Sequence, residues 1–194
     1  MIETTETEFR VEWTDQERRT IEIARAYSKW VRPVNWQLFG TFTFPGVIYH
    51  DEWADQQFAE FINGLEEALK SDVCYIRADE RRFSGCGKPA CGLHYHALLA
   101  SVVPMHPALV EWLWTSRVGE RSEDAGAFVV PYNPIQGGVE YILKMINEPE
   151  GDWKLRNFHL FHPEARDSYK PNARFRRNLR RLEMQQNKFT PPNV

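Results

Sequence analysis

The sequence is poor in cysteine and has no long apolar run, and each shortage removes a class of protein. Three cysteines among 194 residues, Cys74, Cys86 and Cys91, make no disulfide framework, which excludes a small stapled scaffold and fits a reducing compartment. No stretch approaches the roughly 18 consecutive apolar residues of a membrane-spanning helix. Met1 to Glu12 is acidic and polar, without the apolar centre of a secretory signal. No internal repeat, low-complexity tract or Pro-rich linker divides the chain. No Gly-x-x-x-x-Gly-Lys-Ser/Thr loop is present, so no phosphate-cradling ATPase module is expected within these residues. With 42% hydrophobic and 26% charged residues the composition excludes disordered and collagen-like chains. It fits a single domain over 1–194 with an ordinary core.

A formal net charge of −3 argues, as an average, against a nucleic-acid partner. The average hides an asymmetry. Met1 to Glu80 carries 8 Lys and Arg against 16 Asp and Glu, net −8, while Arg81 to Val194 carries 16 against 11, net +5. Arg166 to Lys188 alone holds eight basic residues against Asp167 and Glu183. Opposite signs in the two halves predict a distinct cationic surface.

Patterning predicts the elements. Thr14 to Glu17 has the form of a capping box, opening a helix that runs to about Trp30 and stops before Pro33. Trp36 to Phe44, rich in aromatics and threonine, reads as a strand ended by Pro45-Gly46. Trp53, Phe58, Phe61, Ile62, Leu65 and Leu69 recur at helical spacing within Asp51 to Lys70. Val73 to Ala78 and Leu93 to Val103 read as strands joined by a Gly-containing loop over Arg81 to Gly92. A helix over Pro107 to Val118, a strand over Ala127 to Tyr132 and a helix over Gly138 to Ile146 follow. A strand over Trp153 to Phe161 and an Arg-rich terminal helix complete the order. This order predicts an α+β fold, broadly ferredoxin-like, with helices flanking a central antiparallel sheet. Residues 1–31 form an acidic helical extension expected to pack on the helical side of the sheet, and 166–194 a basic tail.

Chemistry concentrates in two segments. His94-Tyr95-His96 lies in an otherwise apolar strand, where residues two apart share a face, so both imidazoles project side by side and suit one divalent metal. Asp79-Glu80 follows the preceding strand, and strand parity lets only one of these carboxylates share the histidines' face. Two histidines and one carboxylate would leave coordination positions open for water and substrate. In the second segment Gly137-Gly138 opens a helix on which Tyr141 and Lys144 share a face. A tyrosine oxygen can attack phosphorus when its proton is removed and the phosphate charge is neutralised by an ammonium and a metal.

Taken together, the chain resembles the HUH endonuclease superfamily, in particular rolling-circle replication initiator (Rep) proteins with one catalytic tyrosine. Phe39 to Phe44 is similar to the family's first motif, His94-Tyr95-His96 to its HUH motif and Tyr141-Ile142-Leu143-Lys144 to its Tyr-x-x-Lys motif, in that order, over about Trp36 to Ile146. The resemblance implies that Glu80, with Asp79 as the alternative, joins His94 and His96 around Mg2+ or Mn2+. Tyr141 would attack single-stranded or hairpin origin DNA to give a 5′-phosphotyrosine and a free 3′ hydroxyl, with Lys144 at the phosphate. It further implies a plasmid, phage or virus origin, a prokaryotic cytoplasm, and a separate helicase as partner. Glu80 and His94 are separated by a longer loop than many family members have, and no second tyrosine adjoins Tyr141.

Three other readings fit parts of the chain: a single-tyrosine HUH transposase, a nucleic-acid-binding module without cleavage, and a zinc-stabilised adaptor. The last would use Cys86-x4-Cys91-x2-His94-x-His96. In the tail, Arg174, Arg177 and Arg181, with Arg180 one step off, fall on one helix face opposite Phe175 and Leu179, an arrangement suited to nucleic-acid binding.

Overall fold

The structure, a computed structural model, describes residues 14–46, 48, 50–82, 91–119, 126–145, 153–164, 177, 178 and 180. Five strands, β1 Leu38–Thr43, β2 Val73–Arg82, β3 Cys91–Ser101, β4 Gly126–Pro131 and β5 Trp153–Arg156, form one sheet in the order β4-β1-β3-β2-β5. Every neighbouring pair is antiparallel. The helices are α1 Asp15–Val31, α2 Asp51–Leu69, α3 Pro107–Val118, α4 Gly138–Met145 and the short α5 Phe158–Phe161. The fold is therefore α+β, as the patterning predicts. No helix among the described residues is long and apolar enough to cross a membrane.

Alternation along the strands divides the side chains between two faces. One face carries Phe42, Tyr75, Tyr95 and Leu99 against Phe58, Phe61, Ile62 and Leu65 of α2 and Val110 and Trp114 of α3. Its rings meet mostly edge to face: Phe42 to Trp114 with centroids 5.3 Å apart at 69°, and Phe44 to Tyr95 at 5.0 Å and 89°. The indole of Trp114 also donates to the Thr43 carbonyl at 3.2 Å, tying this core to the end of β1. The other face carries Cys74, Ile76, Ala78, Leu98 and Ala100 against Val139, Ile142 and Leu143 of α4, with Val31, Val34, Trp36 and Phe158 around them. Cys74 is a buried core thiol, and burial raises its pKa.

Three expectations need adjustment. β2 does not stop at Ala78 but continues to Arg82, because its hairpin partner continues with it: Glu80 pairs with His94, and Arg82 with Cys91 beyond an irregularity in register. β3 accordingly begins at Cys91 and ends at Ser101. The segment Trp153 to Phe161 is not one strand. Asn157, left-handed at φ 56°, ends β5, and a short helix follows whose Phe158 is buried beside Trp30, with ring centroids 4.1 Å apart. Thr14 precedes α1 and its carbonyl accepts from Arg18 N at 3.0 Å, so the helix starts where the capping pattern places it. The middle of the predicted 81–92 loop, residues 83–90, lies outside the described residues.

Trp114 is completely buried, so Trp114→Ala removes a large ring from the aromatic core and its bond to β1. The expected loss is about 3–5 kcal/mol of unfolding free energy, measured by urea denaturation.

Candidate functional site

On the α4 side of the sheet the apolar surface gives way at one end to polar groups. Antiparallel register sets Thr41 opposite His96 and Thr43 opposite His94 from β1. From β2 it sets Glu80 opposite His94 and Ala78 opposite His96. Each imidazole uses Nδ1 toward its threonine: His96 to Thr41 Oγ1 at 3.1 Å, His94 to Thr43 Oγ1 at 3.0 Å. His96 then meets the carboxylate diagonally across the ladder, its Nε2 lying 2.6 Å from Glu80 Oε2. His96 is only 6% exposed, so this pairing forms in a largely desolvated setting where hydrogen bonds to charge are strong.

The chain brings Tyr141 over this cluster by a tight turn. After β4, the Asn133 side chain accepts from Ile135 N at 3.0 Å and caps a single 3₁₀ turn at Pro134–Gln136. Gly137 adopts φ 71°, a left-handed conformation that glycine reaches without a steric penalty. At Gly138 a Cβ would stand 3.2 Å from both the Phe39 and Tyr132 rings, so the missing side chain lets α4 start directly on β1. Val139, Ile142 and Leu143 are buried, which turns Tyr141 outward along the sheet at 36% exposure. Its hydroxyl donates to Glu80 Oε2 at 3.2 Å, and its ring meets that of His96 with centroids 4.9 Å apart at 75°. Glu80 Oε2 is thus the common acceptor for His96 and Tyr141.

A second contact holds α4 from above. Glu140 accepts from Ser28 Oγ at 3.2 Å and from Arg32 Nε at 3.1 Å, and pairs with Arg32 Nη2. The Arg32 hydrogen bond holds the Glu140 carboxyl below the usual carboxylate pKa. Helix α1, the described part of the N-terminal extension, therefore packs on the face of the sheet that carries α4, through the helix that bears Tyr141; residues 1–13 lie outside the described residues.

Asp79, the alternative acidic residue, points the other way. Arg77, 1% exposed, donates through Nη2 to Asp55 Oδ1 at 2.6 Å and to Asp79 Oδ2 at 3.3 Å. Its guanidinium lies 3.7 Å from the Tyr95 ring centroid, and the Tyr95 hydroxyl donates to Asp55 Oδ1 at 3.2 Å. Burial favours the neutral form of Asp55, but hydrogen bonds from Lys154 and Arg77 outweigh it and lower the pKa. The two adjacent carboxylates, Asp79 and Glu80, thus belong to opposite faces, and Glu80 is the one beside the histidines.

Lys144 lies one turn beyond Tyr141 on α4, with its side chain outside the described residues. In the tail, Arg174 and Arg181 lie outside the described residues, while Arg177 and Arg180 are helical and exposed. Between them Asn178 is buried and donates to the Lys70 carbonyl at 2.7 Å, anchoring this segment at the C-terminal end of α2, in the layer opposite Tyr141. Cys86 lies outside the described residues, and Cys91 is described only through its pairing in β3. Among the described residues no group of three or more His, Cys, Asp and Glu side chains is arranged as a metal site. Two imidazoles with Nδ1 already engaged, next to a carboxylate, are the donors that could serve a divalent cation.

The sequence reading did not single out Thr41 and Thr43 as partners of the histidines, nor Phe39, whose ring lies nearly parallel to that of His96 at 17° with centroids 6.3 Å apart. The available signal was the shared spacing: Thr41 and Thr43 repeat at the same interval of two as His94 and His96. Comparison with protein-family models, curated proteins and solved structures finds no match to this chain.

The eight-residue α4 is too short to be stable by propensity and depends on its contacts. Arg32→Ala removes the cation that holds Glu140, so amides of α4 are expected to exchange with deuterium several-fold faster while those of β3 are unchanged. Native-state exchange read by mass spectrometry measures this difference.

Proposed function

We propose that this protein is a metal-dependent nicking and joining enzyme for single-stranded DNA, of the HUH type with a single tyrosine, initiating rolling-circle replication of a plasmid, phage or virus. The observation that carries the reading is the convergence on Glu80 Oε2 of His96 Nε2 at 2.6 Å and the Tyr141 hydroxyl at 3.2 Å. A nucleophile, a proton acceptor and a nitrogen ligand meet there on a rigid sheet. The proposal includes the ferredoxin-like HUH arrangement as the finer description of the α+β fold.

In this reading Glu80, His94 and His96 would hold Mg2+ or Mn2+: each ring has its Nδ1 at a threonine, which leaves Nε2 as the donor, and the three groups, not arranged as a metal site in this structure, would have to draw together around the cation, His96 Nε2 exchanging its contact with Glu80 for it. When bound, the cation supplies neutralisation of the scissile phosphate. Tyr141 Oη attacks phosphorus, its proton passing to Glu80, which already accepts that hydrogen bond. The new Oη–P bond forms as the P–O3′ bond breaks, and the departing 3′ oxygen takes up a proton, leaving a 3′ hydroxyl and a 5′-phosphotyrosine. Attack by a 3′ hydroxyl reverses these steps and reseals a strand, so the bond energy is conserved without a nucleotide cofactor. Lys144, three residues beyond Tyr141 in the same helix, would neutralise charge on the phosphate. Arg174, Arg177, Arg180 and Arg181 supply the nonspecific attraction to the DNA backbone.

The threonines have a specific use here. A hydroxyl both donates and accepts, so Thr41 can donate to Nδ1 while His96 Nε2–H faces Glu80, and accept from Nδ1–H once Nε2 is a ligand. One side chain thus serves both tautomers without moving.

Incubation with Mn2+ and labelled oligonucleotides tiling the origin of the element that encodes the protein is expected to give a covalent adduct that survives a denaturing gel. Tyr141→Phe is expected to abolish it; an adduct persisting in that variant refutes the nucleophile. Thr41→Val is expected to weaken Mn2+ binding about 10–100-fold by calorimetry, with Thr41→Ser close to wild type. Equal affinity in the valine variant would remove Thr41 from the site.

A further inference from the structure

Beside Tyr141 no helix among the described residues covers the sheet. β4 is an edge strand, and on the α4 side it shows Phe128, 65% exposed, opposite Thr41, and Val130 opposite Phe39. The chain that turns from β4 into α4 adds Tyr132. Together they frame a cavity of about 310 Å³ whose walls include Phe39, Phe128 and Tyr132 and whose floor reaches Thr41, His96 and Tyr141. A shallower trough runs on from it over Phe128, Tyr132 and Pro134.

The lining decides what fits. Aromatic and aliphatic groups make up the walls, Asn133 and Gln136 supply amide donors and acceptors at the rim, and no Asp, Glu, Lys or Arg is among the described residues that line it. A phosphate or charged peptide side chain would find no counter-charge there. A flat, uncharged ring with hydrogen-bonding edges would find stacking partners on its faces and amides at its edge. The cavity also shares Thr41, His96 and Tyr141 with the candidate site. Its occupant is therefore joined to, or adjacent to, whatever group Tyr141 reaches.

We infer that this cavity is a nucleobase pocket, which takes an unstacked base of the single strand next to the phosphate presented to Tyr141. The inference rests on the proposed nicking function and deepens it: Phe128 becomes a stacking platform and Asn133 and Gln136 the groups that read the base edge. Stacking on an aromatic side chain is tolerant of sequence, and edge contacts add preference, so the pocket both grips the strand and sets its register over Tyr141. The exposed face of β4 at Phe128 is then a binding surface. Exposed Phe128 is its outer lip, where a solvated polar edge would otherwise be expected.

Binding can be measured apart from cleavage. The wild-type chain in EDTA is titrated into a 5′-fluorescein-labelled pool of degenerate single-stranded 15-mers at low salt, with fluorescence anisotropy as the readout. Phe128→Ser is expected to weaken binding about fivefold or more. Trp112→Ser, which removes a ring that is 63% exposed on α3 in the opposite layer, is expected to change it less than twofold. A 2-aminopurine probe should be quenched by the wild type and not by Phe128→Ser. Undiminished binding by Phe128→Ser, an equal loss in Trp112→Ser, or no binding of the pool by the wild type overturns the pocket. If Mn2+ and origin oligonucleotides give the Tyr141 adduct while Phe128→Ser binds and reacts normally, the pocket falls and the nicking activity stands. If binding depends on Phe128 but no adduct forms, the pocket stands and the nicking activity falls.

Discussion

Antiparallel register between β1 and β3 is the constraint on which the site depends. With period-two alternation, a slip of one residue would carry Thr41 and Thr43 into the aromatic core and turn Phe42 out beside the histidines. What prevents the slip lies on the far face of the sheet. Phe42 is completely buried against Phe58, Phe61 and Trp114, and Trp114 holds the Thr43 carbonyl. The energy that aligns Thr41 with His96 and Thr43 with His94 therefore comes largely from apolar groups that never touch them.

The same alternation gives neighbouring residues unrelated duties. Tyr95 packs under the guanidinium of Arg77 while His94 and His96 look the other way. Asp79 and Glu80 are split likewise, one beside a buried arginine and one beside an imidazole. Arg77 is expensive to bury and is tolerated because Asp55, Asp79 and the Tyr95 ring surround it; removing any carboxylate would leave charge uncompensated in a dry setting. That cluster stiffens β2 one residue before Glu80, so the face with the histidines inherits a firm strand from the face opposite.

Legibility in the sequence followed the range of the interactions. Parity along one strand placed His94 with His96 and separated Asp79 from Glu80, and helical spacing set Tyr141 and Lys144 on one face of a helix. These are properties of single elements. The threonine partners, the cavity and the Arg32–Glu140 pair each join elements distant in the chain, and no local pattern announces the register that makes them. The end of β2 was misjudged for a related reason: Asp79-Glu80-Arg81-Arg82 has the composition of a solvated turn, but pairing with β3 carries it on as strand. Asn157 ended β5 through a left-handed backbone that composition alone did not mark.

The Arg32–Glu140 pair spans 108 residues of sequence. During synthesis α1 is made before its partner on α4, which does not exist until about a hundred further residues have been added. The sheet's central hairpin of β2 and β3 has no such wait. Organisation of α4 is thus deferred in time relative to β2 and β3, whose hairpin can pair His94 with Glu80 before Tyr141 is held over them.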